Sequence, residues 1–250
     1  MSIFKCKRVL KKYEVKQGVP IGGMQVNIRN KKNGPWLLIV FYILTLSLTV
    51  IGMNRFLKVA EEVQEREAWG IDKIWIDEAK QIASPELTAM MKDITELGSV
   101  PWLLTGTVLI IGFFFIRRQF RFAMLFAMGM LGTSVVNTVL KDVYERTRPT
   151  PSLIEVQGYS FPSGHTMGAL SFFGLILYVT MKSTLSYRIK AMVAGTCLLL
   201  ILLIGWSRIY LGAHYLTDVV AGYVAGTMIL IHCIVINEMD GYLQRIATRG

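Results

Sequence analysis

The sequence predicts an all-α, polytopic membrane protein. The expected form is a bundle of six transmembrane helices with an amphipathic helical segment on the extracytoplasmic side between the first and second spans. Three observations carry this expectation. Hydrophobic residues fill 53% of the 250 positions and charged residues only 18%, against about a quarter charged in a soluble domain. Mean hydropathy is positive, at +0.46. The uncharged positions gather into long runs, and strand-like alternation is absent, so helices rather than a barrel must satisfy the backbone in lipid. This composition excludes an ordinary cytosolic enzyme, a disordered regulator and a repeat or disulfide scaffold.

Six runs lack Asp, Glu, Lys and Arg: Asn33–Asn54, Leu97–Ile116, Phe122–Leu140, Val156–Met181, Ala191–Ser207 and Val219–Asn237. A span needs about 20 apolar residues, with about 17 as the lower limit, so the shorter runs are expected to extend past their flanking charges. With the N-terminus inside, the cytoplasmic segments hold 17 Lys or Arg and three acids, while the outer segments hold ten bases and fourteen acids. That bias places both termini in the cytoplasm of a multi-pass cell-membrane protein. The expected organisation is a basic cytoplasmic tail over 1–35, a membrane domain over 36–240 and a short cytoplasmic tail over 241–250. The leader is too long for a cleaved signal peptide and no small-x-small site follows it. The first span is therefore expected to remain as an anchor. The net charge of +10 reads as topology and contact with the lipid bilayer, and no nucleic-acid partner is expected. Cys6, Cys197 and Cys233 form no spacing motif. The latter two lie in apolar runs and are expected to pack.

Between the first two spans, Ile71, Ile74, Trp75, Ala79 and Ile82 recur at spacings of three and four, which predicts an amphipathic helix. Ser84-Pro85 reads as a second helix start, with Ser as N-cap and Pro in the first turn. Leu87, Met90, Met91, Ile94 and Leu97 continue an apolar stripe. These helices either lie on the outer membrane surface or cap the bundle.

The remaining polar residues concentrate at helix ends. Span three ends at Lys141, followed by Asp142-Val143-Tyr144-Glu145-Arg146-Thr147-Arg148-Pro149. Lys141 and Arg148 are spaced to share a helix face, and Pro149 should end the helix near Arg148. Span four begins after Phe161-Pro162-Ser163-Gly164-His165. Span five ends at Ser207-Arg208-Ile209-Tyr210-Leu211-Gly212, and span six begins near His214 and Asp218, whose side chains are expected to meet on one helix face. Antiparallel connectivity brings these four ends to one membrane face. Taken singly, each has a plainer reading. Lys141, Arg146 and Arg148 read as interfacial anchors, Ser163-Gly164 as a turn and cap, Gly212 as a helix C-cap, and His214 with Asp218 as a local polar pair. Their conjunction favours one site. His232, in the middle of an apolar run, is expected to be a packed neutral histidine.

These residues resemble the three-part signature of the type 2 phosphatidic acid phosphatases: Lys141-x6-Arg148-Pro149, Pro162-Ser163-Gly164-His165 and Ser207-Arg208-x5-His214-x3-Asp218. That superfamily also contains bacterial acid phosphatases and vanadium haloperoxidases. The resemblance implies an integral membrane phosphatase for a lipid phosphate, with His214 as nucleophile forming a phosphohistidine, His165 protonating the leaving oxygen and Asp218 fixing the His214 tautomer. Phosphate would be bound by Lys141, Arg148, Ser163, Gly164 and Arg208. Such a site makes physical sense, because cations and a helix start stabilise a phosphoryl group without a metal ligand set or cofactor. A helix start disfavours a protonated His165, and a bound dianion is expected to offset this. Phosphatidylglycerophosphate, phosphatidate and undecaprenyl pyrophosphate remain open as substrates, with Tyr144, Tyr159 and Phe161 as possible head-group contacts. Two other readings compete: a transporter that binds an anionic lipid or ion through the basic cluster, and a haloperoxidase-like enzyme that binds vanadate.

Overall fold

The computed structural model describes residues 35–65 and 69–247, and the basic tail before Pro35, including Cys6, lies outside the described residues. Among the described residues, eight helices occur in order: α1 (Pro35–Gln64), α2 (Trp69–Gln81), α3 (Pro85–Glu96), α4 (Val100–Ile116), α5 (Phe120–Tyr144), α6 (Gly164–Lys182), α7 (Tyr187–Tyr210) and α8 (Leu216–Ala247). No strand occurs among the described residues. Five helices are long and apolar enough to cross a bilayer, and α3 with α4 meets the same requirement across a bend of 41°. The reason for that pairing is length. The 17 residues of α4 reach about 26 Å at 1.5 Å per residue, short of a hydrocarbon core of about 30 Å. The spans run past the charge-free segments that announced them: α1 continues to Gln64, α5 to Tyr144, α7 to Tyr210 and α8 to Ala247.

α6 is the central helix. It packs against α5, α7 and α8, while α1 lies along α8. One apolar core joins Leu103, Phe114, Phe126, Phe172, Leu175 and Val179, and also buries Cys233. A second, nearer the start of α6, joins Phe56, Ala60, Phe161, Met167 and Ala225. Phe161 is therefore a core residue, packed against Phe56 and Tyr144, and not a head-group contact. Cys197 is buried as expected. His232 departs from expectation. It is exposed on the bundle's outer surface, with its Nδ1 2.6 Å from the Met228 carbonyl. That local partner replaces the packed environment the apolar run implied.

The end of the bundle remote from Ser163 is closed by polar contacts. Arg121 pairs with Asp240 at 2.9 Å, and Lys182 with Glu238. Tyr178 donates to Glu238 at 2.6 Å and accepts from Asn237 at 2.8 Å. At the other end, α2 and α3 lie across α7, with α2 also meeting α8. Ser84 caps α3 as anticipated, accepting from the Leu87 N–H, with Pro85 in the first turn. Met91 packs with Tyr210 and Leu211. On α2 the buried face differs from the apolar stripe read in the sequence. Asp72 and Ala79 are buried, while Ile71, Ile74 and Ile82 face outward. The helix turns its acid inward because the bundle end supplies donors for it.

Leu175 is fully buried against Gly129 and Phe126, whereas Leu199 is 56% exposed on the lipid-facing side. Leu175→Ala should cost about 2–5 kcal/mol through the cavity it leaves, and Leu199→Ala under about 1 kcal/mol. Thermal unfolding of the detergent-solubilised variants tests this, and equal melting shifts would contradict the packing described.

Candidate active site

The loop from Glu145 to Ser163 and the turn from Leu211 to Tyr215 build the site between helix ends. α5 stops at Tyr144, earlier than Pro149 implied. Glu145 adopts a left-handed conformation, φ 42°, and its N–H bonds the Lys141 carbonyl at 3.0 Å. Lys141 and Arg148 therefore do not share a helix face, since Arg148 returns to the site from an extended segment. The loop is pinned on itself by Ser160 N–H to the Arg146 carbonyl at 2.8 Å, and on the neighbouring turn by Leu153 N–H to the Leu211 carbonyl at 2.9 Å. That turn needs Gly212, at φ +64°, where a Cβ would come within 3.1 Å of the Pro151 carbonyl. The Arg208 carbonyl then accepts from the N–H groups of both Ala213 (3.0 Å) and His214 (3.2 Å). This fixes the backbone that carries His214.

His214 precedes α8 rather than lying on it. Its Nδ1 is 3.3 Å from Asp218 Oδ2, which also accepts the Tyr215 N–H at 2.9 Å. Arg148 Nη1 lies 3.1 Å from His214 Nε2. An arginine only donates, so Nε2 must present its lone pair and Nδ1 must carry the proton toward Asp218. The contacts alone assign the tautomer. Burial pushes His214 down to about 4, with Arg208 and Arg148 adding to the effect and Asp218 opposing it. The ring is consequently neutral at neutral pH, below the usual imidazole value of about 6.5. Arg148 is held by its own loop and the turn, donating to the carbonyls of Gly158 (2.9 Å), Gln157 (3.0 Å) and Ala213 (2.8 Å). Burial lowers its guanidinium somewhat from the ordinary value, against the attraction of Asp218.

Arg208 projects from the last turn of α7 and is buried. Its Nη1 donates to Thr95 of α3 at 2.8 Å, while its Nε finds no acceptor among the described residues. A buried unsatisfied donor costs about 1–3 kcal/mol, so this nitrogen would gain from an acceptor placed beside it. Lys141 Nζ donates to the Tyr159 carbonyl from the last turn of α5. Ser163 is fully buried as the N-cap of α6, accepting from Thr166 N–H (3.4 Å) and Thr166 Oγ1 (2.9 Å). Its own N–H bonds the Asp218 carbonyl at 3.0 Å, tying the starts of α6 and α8 together. Gly164 follows, and a Cβ there would come within 2.8 Å of Asn137 Oδ1. His165 stands in the first turn of α6, where Arg208, His214, Arg148 and Lys141 all act on it electrostatically. The structure thus gathers all eight residues singled out in the sequence at one end of the bundle. Among the described residues, no three His, Cys, Asp or Glu side chains cluster as metal ligands would.

Sequence reasoning missed the groups behind this site. Arg146, read as an interfacial anchor, donates to Asp218 Oδ1 (2.5 Å), Thr217 Oγ1 (2.8 Å) and Asp72 Oδ2 (2.7 Å). Burial lowers its proton affinity, but Asp218 and Asp72 outweigh this and hold it above the ordinary value. Asp72 accepts in addition from Thr217 N–H at 3.0 Å and Thr217 Oγ1 at 2.7 Å. The only available signal for Asp72 was its helical spacing from Ile76 and Ala79, and the stronger apolar stripe beside it masked that signal.

A family model described as the PAP2 superfamily matches residues 122–242. Phosphatidylglycerophosphatase B of Bacillus subtilis (strain 168) is 33% identical over 178 residues, covering 70% of this chain and 87% of that protein. Dolichyldiphosphatase of Saccharomyces cerevisiae is 29% identical over 127 residues, 47% of this chain and 52% of that protein. The crystal structure of a transmembrane PAP2 type phosphatidylglycerolphosphate phosphatase from Bacillus subtilis superposes with a TM-score of 0.72 at 31% identity, covering 76% of this chain and 96% of the other. With its helices, its signature residues and these relatives in agreement, the chain belongs to the PAP2 superfamily as a multi-pass membrane phosphatase.

Proposed function

We propose that this protein hydrolyses a phosphate monoester or pyrophosphate carried by a membrane lipid, through a phosphohistidine on His214. The observation that carries the proposal is the orientation of His214. Its Nδ1–H faces Asp218, and its Nε2 lone pair faces Arg148 within a cluster of cations. A neutral imidazole held in one tautomer is a competent nucleophile. In the first step Nε2 bonds to phosphorus as the bond to the leaving oxygen breaks, and that oxygen takes a proton from His165. In the second step a water attacks phosphorus, gives a proton back to His165, and releases phosphate and free His214. Lys141, Arg148 and Arg208 hold the phosphoryl oxygens, Arg208 through its unpartnered Nε. Ser163 and Gly164 contribute the start of α6, whose first-turn N–H groups favour an anion.

The site lies at one end of the bundle, so a phosphate can sit among the cations while acyl or prenyl tails stay in lipid. Phosphatidylglycerophosphate is the first substrate to test, because the relative that this chain matches over most of its length is named for it. Phosphatidate and undecaprenyl pyrophosphate follow. The charge bias of the loops supports a site facing the extracytoplasmic side with both termini in the cytoplasm.

Three experiments test these readings. With chelator present, purified protein should release phosphate from one lipid of this panel. His165→Ala should lower kcat about 10²–10⁴-fold, and His214→Ala should abolish turnover and the acid-labile phosphoenzyme. Unchanged release by His214→Ala would remove the mechanism. In ¹³C-histidine NMR of the free protein, His214 should titrate near pH 4. The signs follow from linkage: its folded value lies below that of the unfolded chain, so the stability it contributes is present above about 6.5 and is lost as pH falls through the folded value. Asp218→Asn removes the anion that favours the charged ring and should move the midpoint lower still, so an upward move would contradict the pairing. For orientation, a cysteine-free background carrying Leu153→Cys should react with an impermeant maleimide from outside intact cells. Tyr187→Cys, at the opposite end, should react only after lysis. The reverse pattern would invert the topology.

A further inference from the structure

The buried charges behind His214 follow an arithmetic that the phosphatase chemistry does not by itself demand. Asp218 is fully buried, and one of its oxygens pairs with Arg146 at 2.5 Å while the other faces His214. Were that all, Arg146 would cancel Asp218. The imidazole would then gain positive charge on bonding phosphorus with no anion left to balance it. Asp72 changes the sum. Also fully buried, it reaches in from α2 to pair with Arg146 at 2.7 Å, and Thr217 bridges the two through its backbone N–H and hydroxyl. Arg146 is held on a further side by the Tyr215 ring, 4.0 Å from its guanidinium carbon.

We propose that Asp72, on the helix between the first two spans, is a positioning residue that neutralises Arg146 and so reserves the negative charge of Asp218 for the His214 ring. The proposal rests on reading His214 as the nucleophile. With Asp72 in place, the group Asp72, Arg146, Asp218 and neutral His214 carries one net negative charge. When Nε2 bonds phosphorus with Nδ1 still protonated, the ring becomes cationic and the group becomes neutral. With Asp72 neutralised, the same step leaves a net positive charge in a buried site already flanked by Arg148 and Arg208. Charge created without compensation at low dielectric is costly, and the cost falls on the step rather than on phosphate binding. Neither Asp72 nor Arg146 needs to touch substrate for this to hold.

The test is phosphate release from short-chain phosphatidate in detergent micelles, with folding checked by thermal unfolding. Asp72→Asn should lower kcat roughly 10–100-fold, as removal of the partner behind a functional histidine does at metal sites, with KM within about threefold. Combining Asp72→Asn with Arg146→Gln removes one charge of each sign and leaves Asp218 free to serve the ring. The double variant should therefore recover several-fold in kcat over Asp72→Asn alone. A residue that merely braced the fold would make the double variant no better than the single, and that result would overturn the proposal. So would an unchanged kcat in Asp72→Asn. If Asp72→Asn does not fold, the double variant decides alone. A kcat within about thirtyfold of wild type supports charge balance, and a greater loss overturns it, since coupled neighbours are expected to depart from additivity in the rescuing direction. His214→Ala runs in parallel. If it retains turnover, the nucleophile reading fails whatever Asp72 does.

Discussion

Asp218 has no exposed surface, yet it sits in the first turn of a helix whose middle stretch, Val219 to Ile236, is largely apolar. A carboxylate in such a place is tolerable only when its oxygens are saturated by donors and its charge is opposed. Much of this end of the molecule does that work. Tyr215 supplies a backbone N–H, His214 a ring N–H and Arg146 a guanidinium, and the Arg146 charge is in turn met by Asp72. Because these groups come from α2, the Glu145–Ser163 loop, the turn after α7 and the first turn of α8, satisfying one carboxylate locks four parts of the chain to one another. The geometry of the candidate site and the integrity of the fold therefore share the same contacts.

The cations are treated differently. Arg148 is oriented by carbonyls of its own loop and the adjacent turn, which take three of its five N–H donors and aim it at His214 Nε2. Arg208 keeps one buried nitrogen without a partner among the described residues. The site thus combines an over-determined carboxylate side, where nothing needs to move, with a cationic side that leaves Arg208 Nε open, and in the proposed function that donor meets an incoming anion. Preorganisation of this kind lowers the reorganisation that a phosphoryl-transfer step requires. The charged groups cluster at the end of the bundle and not at mid-bilayer, which is the arrangement of an interfacial phosphatase rather than of a transporter.

The helices between the first two spans gain a clearer role from this. Thr95 of α3 holds Arg208, Asp72 of α2 holds Arg146, and Ser84 and Thr88 meet the Tyr210 hydroxyl. These helices cap the bundle and support the site, while Ile71 and Ile74 on the outward face of α2, with Ile82 just beyond its end, remain exposed. The two expectations for this segment, surface helix and cap, are thus compatible, because opposite faces of one helix serve them.

How much was legible in the sequence depended on whether the physical signal was local. Charge-free runs and caps are local, so the helical class, the span positions and the Ser84 start could be read directly, and the signature residues with antiparallel connectivity placed seven polar side chains at one end. Local rules also misled where a longer-range contact prevailed. Pro149 suggested a helix to Arg148, but the chain leaves α5 at Tyr144 because Arg148 must return to meet the His214 turn. The apolar stripe of α2 concealed Asp72, since an acid on an amphipathic helix is ordinarily solvated and only partners distant in sequence make its burial favourable. Sequence alone determined which residues are costly to place near lipid. Which of those residues neutralise one another was decided by tertiary structure, because charge compensation depends on distance in space and has no period along the chain.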